Sequence, residues 1–190
     1  MEPTDDAPAP PKKRSRKRGL TEWLIVLVVA VLASFLVRAY VVQTYFIPSK
    51  SMKPTLYVGN RIMVDKLAVE FGHINIGDIV VFKAPPEVAI KCSDTVPDLV
   101  KRVIGLPGDV LTSKGNTIYV NGKPLHQKWT VYPDLGVPIQ PTTVPAGHYF
   151  MMGDNHPDSC DSRTWGTVPR SDLIGKVFVR IWPLKSIKWI

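Results

Sequence analysis

Residues 99–109 read L-V-K-R-V-I-G-L-P-G-D, an aliphatic run that ends at a Pro-Gly-Asp turn signal. Such a run predicts a β-strand, in which successive side chains point to opposite faces of the sheet. Leu99, Lys101 and Val103 would then share one face, and Arg102 would point to the other. Alternation alone leaves open whether Lys101 is buried among apolar neighbours or extends from a half-buried strand to solvent.

Residues 43–190 contain several more short runs of this kind. Their spacing predicts a mostly β domain, either a β-sandwich or an open barrel. The Asn121-Gly122 pair lies between T-I-Y-V and K-P-L and is a strong signal for a two-residue hairpin. The eighteen prolines of the chain argue against long helices here. The other clear strand candidates are residues 79–82, 117–120 and 177–182.

The first 42 residues have a different character. Residues 1–19 are rich in proline and basic side chains, which predicts a disordered tail. Residues 20–42 are mostly Leu, Val, Ile and Ala and are long enough for one transmembrane helix. The basic cluster before this helix predicts a cytoplasmic N-terminus and an extracytoplasmic domain. A cleaved signal peptide is the alternative, although Arg38 falls inside its would-be cleavage site.

The net charge of +8 is compatible with two kinds of partner, nucleic acid and anionic lipid. The charges outside the tail are spread along the sequence, without a basic helix or an RNA-binding aromatic motif. A lipid bilayer is therefore the expected partner, and nucleic acid is not.

The two cysteines, Cys92 and Cys160, would form one disulfide in an extracytoplasmic domain if they meet. From sequence alone, two free thiols are an equally good interpretation. The chain has no C-x-x-C or H-E-x-x-H motif, so neither a metal site nor a cofactor is expected.

Residues 47–56, I-P-S-K-S-M-K-P-T-L, suggest a serine nucleophile just beyond the apolar segment. A serine hydroxyl is a poor nucleophile until a neighbouring base removes its proton. The lysines inside this stretch are expected to be solvated. Burial of Lys101 would instead disfavour its ammonium form and yield the neutral amine that a base requires. A triad of Ser51, His156 and an aspartate is the weaker alternative, because nothing in the spacing supports it.

Five stretches follow one another along the chain: residues 47–56, R-I-M-V-D-K at 61–66, G-D-I-V-V-F at 77–82, K-R-V-I-G-L-P-G-D at 101–109 and G-D-N-H-P-D-S-C-D-S-R at 153–163. In sequence and order they resemble the type I signal peptidases, the membrane-bound Ser/Lys proteases that remove signal peptides from exported proteins. With the apolar segment, the resemblance covers most of residues 20–182.

The resemblance implies a catalytic dyad in which Ser51 is the nucleophile and Lys101 is the general base. The hydroxyl of Ser49 and the backbone N–H of Ser51 would form the oxyanion hole. Ser159 would accept or donate a hydrogen bond at the Lys101 amine and orient it.

The same resemblance implies a supporting shell and a substrate cleft. Asp161 and Arg163 would form a supporting ion pair, which Arg102 could join. Shallow apolar pockets would admit small substrate residues at positions −1 and −3. The residues expected to line these pockets are Tyr45, Ile47, Met52, Leu99 and Val100.

These features predict a single-pass membrane serine endopeptidase that cleaves exported preproteins after small-x-small motifs. Its β-ribbon insert, at about residues 111–147, would be small.

Two features depart from the family pattern and leave loop geometry and substrate preference open: Lys50 stands where glycine is frequent, and His156-Pro157 replaces an arginine-containing stretch. The alternatives are a self-cleaving Ser/Lys protease of the SOS-repressor type and a non-catalytic membrane-anchored β binding module.

Overall fold

The computed structural model describes residues 16–93 and 95–190. The chain divides into two compact units, Met1–Arg38 and Ala39–Ile190. Residues 1–15, most of the predicted disordered tail, lie outside the described residues.

The N-terminal helix, α1, spans Arg16–Tyr40 and so begins before the predicted boundary at residue 20. Arginine and lysine are good helix formers, which allows the helix to extend into the basic cluster. Among the described residues, no helix combines the length and the apolar character needed to cross a membrane. The transmembrane span at 20–42 thus stays a prediction.

The remaining elements are short. The helices are α2 Leu67–Glu70, α3 Pro86–Cys92 and α4 Ser162–Trp165, with 3-10 turns at His156–Asp158, Arg170–Asp172 and Leu184–Ser186. The strands are β1 Val42–Phe46, β2 Arg61–Asp65, β3 Ile79–Lys83, β4 Asp98–Gly105, β5 Val110–Lys114, β6 Thr117–Val120, β7 Lys123–Pro124, β8 Thr142–Thr143, β9 His148–Met152, β10 Val168–Pro169, β11 Leu173–Trp182 and β12 Lys188–Trp189.

The larger sheet has the order β1-β2-β11-β3-β4-β9-β10, and β12 pairs with β11. Neighbouring strands in it are antiparallel. The prediction of a mostly β domain is confirmed. The sequence runs of 79–82, 99–104 and 177–182 lie in β3, β4 and β11, next to one another in this sheet.

Strand β3 shows why a continuous apolar run is needed at the centre of this sheet. Val80 and Phe82 belong to one buried cluster, together with Trp165 of α4. Ile79 and Val81 belong to a second cluster on the other face. Because both faces are covered, all four residues of the run are buried, and β3 provides a rigid base for its neighbour β4.

The smaller sheet has the order β7-β6-β5-β8 and lies between Val110 and Thr143, where the β-ribbon insert is predicted. The predicted hairpin is confirmed, because Val120 pairs with Lys123 across a two-residue loop. Asn121 and Gly122 in this loop have φ values of 53° and 76°, the left-handed conformation that Asn-Gly favours.

Candidate active site

Ser51 lies in the loop between β1 and β2, and buried side chains hold this loop in place. Met52 and Leu56 belong to the apolar cluster under β3, and the Leu56 N–H donates to the Met52 carbonyl at 2.8 Å. The N–H of Ile47 donates to the Asn60 carbonyl at 2.9 Å and closes the loop. Ser51 is therefore a buried serine on a fixed turn.

Lys101 lies on β4, directly opposite Val80 of β3. It is 3% exposed, so the structure answers the question that strand alternation left open: this lysine is buried. Its Nζ donates a hydrogen bond to the Ser159 hydroxyl at 3.2 Å. A buried environment disfavours a charged ammonium group relative to a neutral amine.

Ser49 lies beside the proposed nucleophile. The Ser49 and Ser51 hydroxyl oxygens are 3.2 Å apart, within hydrogen-bonding distance. Ser49 itself is exposed to solvent.

The segment that follows β9 runs against the Ser51 loop. The Asn155 backbone N–H donates to the Ser51 carbonyl at 3.0 Å, and its side-chain amide donates to the Lys50 carbonyl at 3.1 Å. Gly153 lies at the closest approach, where a Cβ atom would collide with the Ser51 carbonyl oxygen and the Ser159 hydroxyl. The sequence pattern assigned no role to Gly153 or Asn155, although both lie in a quoted motif.

Substitution of Gly153 by alanine is expected to lower kcat/KM by about 100-fold, because a shift of roughly 1 Å at reacting groups has an effect of that size. The methyl group would push apart the two segments that carry Ser51 and Ser159. Peptide cleavage assays would measure the loss. Gly108→Ala is the control for an added methyl group away from the site, since Gly108, with a φ of 88°, has open space around it. Equal activities of the two variants would contradict the close-packing argument.

Two buried ion pairs support this segment. Asp161 and Arg163 are joined by two hydrogen bonds of 2.7 Å, and their side chains are 0% and 1% exposed. Asp161 also caps α4 by accepting from the Arg163 N–H at 3.2 Å. The Arg163 guanidinium further donates to the carbonyls of His156 and Ser159.

Arg102 forms the second pair, and its partner differs from the expectation. It binds Asp154 through two hydrogen bonds of 2.8 and 2.6 Å, whereas the family resemblance implies that it could join Asp161 and Arg163. The reason is strand register: Arg102 is opposite Met152 at the end of β9, which places Asp154 two residues beyond. Asp154 was missed from sequence because this pairing depends on how β4 and β9 align.

A cleft of about 230 Å³ opens beside Ser51. Burial raises the pKa of Tyr45 in this cleft, and the charge and hydrogen bond of Asp98 raise it further. All five residues predicted for substrate pockets line the cleft, as do both serines of the 47–56 stretch: Tyr45, Ile47, Met52, Leu99, Val100, Ser49 and Ser51.

His156 does not have the contacts that a triad requires. A triad histidine uses one ring nitrogen for the serine and the other for the aspartate. The buried Nδ1 of His156 has no hydrogen-bond partner among the described residues. Burial lowers the pKa of this histidine, and the positive charge of Arg163 lowers it further, against opposing effects of Asp161 and Asp154.

The lowered pKa of His156 predicts that stability falls with acidification. Below about pH 6.5, the ordinary histidine pKa, the unfolded chain binds a proton that the folded protein does not accept until lower pH. The free energy of unfolding should therefore decrease by at most about 1.4 kcal/mol per pH unit in that interval. Urea titrations between pH 5 and 8 should show a smaller decrease for His156→Gln, and no such difference for His73→Gln on the surface. Equal pH dependence in His156→Gln and wild type would contradict this.

Cys92 and Cys160 form a disulfide with a Cα–Cα distance of 6.1 Å. The sequence had left a disulfide and two free thiols as alternatives, and the structure shows the disulfide. It joins the end of α3 to the residue between Ser159 and Asp161.

Comparison with known proteins adds to this geometry. The sequence model of the family described as signal peptidase, peptidase S26, matches residues 20–182. The chain belongs to this family. It is 38% identical to the probable signal peptidase I-2 of Synechocystis sp., covering 94% of this chain and 78% of that protein. It is 35% identical to the signal peptidase I of Mycobacterium tuberculosis, covering 94% and 76%, and 34% identical to the signal peptidase IB of Staphylococcus aureus, covering 91% and 95%.

A solved signal peptidase I from Enterococcus faecalis is 28% identical, with a TM-score of 0.42 over 55% of this chain and 96% of that one. Membership of the family makes this chain a signal peptidase I hydrolase. This favours a signal peptidase over the non-catalytic β module and over the self-cleaving protease of the SOS-repressor type.

Proposed function

We propose that this protein removes signal peptides from exported preproteins, with Ser51 as the nucleophile and Lys101 as the general base. One observation carries the proposal: a single segment, residues 153–159, contacts both groups. Asn155 binds the Ser51 carbonyl, and Ser159 binds the Lys101 amine. A buried lysine and a fixed serine held by the same segment suit a Ser/Lys dyad.

The proposed reaction begins with a neutral Lys101 amine, which burial favours. The amine takes the proton from the Ser51 hydroxyl, and the oxygen attacks the carbonyl carbon of the scissile peptide bond. Negative charge then develops on the carbonyl oxygen, where the Ser49 hydroxyl and the Ser51 N–H donate to it. Lys101 passes its proton to the leaving amine as the C–N bond breaks. It then removes a proton from the water that attacks the acyl-enzyme, and returns this proton to the Ser51 oxygen as the ester bond breaks.

In this proposal, the walls and the volume of the cleft determine which substrate side chains can bind. Its apolar walls and volume of about 230 Å³ suit small side chains at positions −1 and −3 and exclude large ones by steric overlap. Cleavage after small-x-small motifs is the expected specificity.

The N-terminal helix supplies a membrane anchor in this proposal. Its exposed side chains are predominantly apolar, including Leu24, Leu32 and Phe35, with Trp23 near the start and Tyr40 at the end. A lipid bilayer would cover such a surface, and the basic cluster would keep the N-terminus in the cytoplasm. The catalytic unit would then be extracytoplasmic, where signal peptides emerge. Confinement to one surface lowers the entropic cost of encounter.

Cleavage of a preprotein by the full chain in lipid vesicles tests the proposed function. N-terminal sequencing of the product should identify a cut after a small-x-small motif. Ser51→Ala is expected to abolish this cut, because it removes the attacking oxygen. Ser186→Ala is the matched control, since the Ser186 hydroxyl makes a solvent-exposed hydrogen bond to the Pro183 carbonyl. Cleavage by Ser51→Ala at the wild-type rate would rule out the proposed nucleophile.

A further inference from the structure

The Cys92–Cys160 disulfide lies directly beside the group that binds the proposed base. Cys160 follows Ser159, whose hydroxyl accepts the hydrogen bond from Lys101 Nζ at 3.2 Å. Cys160 also precedes Asp161, the fully buried partner of Arg163. Three consecutive residues therefore contact three different groups: Ser159 binds the proposed base, Cys160 is bonded to Cys92 of α3, and Asp161 pairs with Arg163.

The chain before Ser159 is held at Asn155 and His156, and the two residues that connect His156 to Ser159 are exposed. Residues 156–158 form a single 3-10 turn, and Pro157 and Asp158 in it are exposed. The position of Ser159 therefore also depends on what holds the chain on its other side. There the disulfide connects Cys160 to α3, and both cysteines pack against the apolar cluster that contains Val88 and Trp165.

The other end of the bond also leads to the active site. Cys92 is the last residue of α3, and the chain returns through residues 96–100, which form one wall of the substrate cleft. It enters β4 at Asp98 and reaches Lys101 three residues later. The disulfide thus joins the two chain segments that carry the proposed base and its hydrogen-bond partner.

Other contacts also hold the surrounding fold. Lys91 Nζ donates to the Thr164 carbonyl at 3.1 Å and connects α3 to α4 independently. The Asp161–Arg163 pair fixes the start of α4. Loss of the disulfide should therefore displace Ser159 more than it disturbs the sheets.

We propose that the Cys92–Cys160 disulfide positions the Lys101 amine for catalysis through Ser159. This inference rests on the proposed function, because it requires Lys101 to be the base. Cys92 and Cys160 are positioning residues: they hold the Ser159 hydroxyl where it orients the amine toward Ser51. Reduction converts the bond to two thiols and oxidises a dithiol reductant to its own disulfide, with transfer of two electrons and two protons. Activity then depends on the oxidised state of the pair.

The test compares kcat and KM of the full chain in lipid vesicles for wild type and the C92S/C160S double variant. A displaced base affects the chemical step, so we expect kcat to fall by about tenfold or more while KM changes less than about threefold. Lys91→Ala is the matched control: it removes a contact between α3 and α4 and leaves the disulfide intact, so its kcat should equal that of wild type. Wild-type kcat in C92S/C160S, or a loss confined to KM, would overturn the proposal.

A double-mutant cycle with Ser159→Ala separates positioning from a general structural effect. If the disulfide acts through Ser159, its removal in the Ser159→Ala background should lower kcat by no more than about twofold further. Fully additive losses would overturn the route through Ser159. Substantial cleavage by Lys101→Ala would instead contradict the proposed function itself, whatever the cysteine variants show.

Reduction of the folded wild-type enzyme provides a second measurement if C92S/C160S does not fold. Dithiothreitol is added, and thiol labelling with mass spectrometry verifies that the bond is open. A fall in kcat with an unchanged circular dichroism spectrum supports the proposal, and re-oxidation should restore the rate. Unfolding of the reduced enzyme at the assay temperature would overturn it, because the bond would then maintain the fold as a whole.

Discussion

Lys101→Met is expected to lower kcat/KM by about 10³-fold or more and to leave the domain folded. Without an amine, no group removes the proton from Ser51, and general-base catalysis of this kind contributes about 10²–10⁴-fold. Stability should not fall, because methionine has a similar volume and adds no charge to a site where Lys101 is 3% exposed. Rates of peptide cleavage and thermal unfolding curves would measure both effects.

Lys50→Met is the matched control for this substitution. Lys50 is adjacent to Ser51 in sequence, but it is exposed to solvent. Its replacement removes one positive charge beside the nucleophile and should leave kcat nearly unchanged. If Lys101→Met unfolded the domain, Lys101 would be a structural residue. If it cleaved substrate at the wild-type rate, the dyad would have no base.

Asp154→Ala is expected to produce the largest loss of stability, about 3–5 kcal/mol. The substitution leaves the Arg102 guanidinium buried without its carboxylate, and an unpaired buried charge is strongly destabilising. The Thr55 hydroxyl, which donates to the same carboxylate, loses its acceptor as well. The melting temperature should fall by roughly 10 °C.

Two further variants separate the buried pair from salt bridges in general. Lys176→Met breaks the bridge to Asp78, which is partly exposed, and should change stability by only about 0–1 kcal/mol. The double variant Arg102→Met/Asp154→Leu removes both charges and should be more stable than Asp154→Ala alone. A loss in Asp154→Ala no larger than in Lys176→Met would contradict the assignment of a buried, bidentate pair.

Local sequence pattern predicted the parts of the fold that depend on neighbouring residues. Period-two alternation located β4 and placed Lys101 on one face of it, and Asn121-Gly122 located the hairpin of the smaller sheet. Alternation could not show that Lys101 is buried. That depends on β3 lying beside β4 and on the packing of β9 on its other side.

Contacts between distant segments were beyond what the sequence could show by itself. The Arg102–Asp154 pair depends on the register of β4 against β9, and the disulfide joins residues 68 positions apart. The proximity of Gly153 to the Ser51 loop likewise depends on the packing of two segments about 100 residues apart. The resemblance to a known family supplied the candidate roles that local pattern left undecided, including that of Ser159.

Chemical rescue of Lys101→Cys would show whether an amine at this position activates Ser51. Both native cysteines are in the disulfide, so the thiol introduced at position 101 would be the single free thiol of the variant. Aminoethylation of that thiol with 2-bromoethylamine, in the absence of reductant, rebuilds a side chain of lysine length that ends in an amine. We expect Lys101→Cys to be inactive and preprotein cleavage to return after aminoethylation, but not after alkylation with iodoacetamide. Equal cleavage before and after aminoethylation would contradict the assignment of Lys101 as the base that activates Ser51.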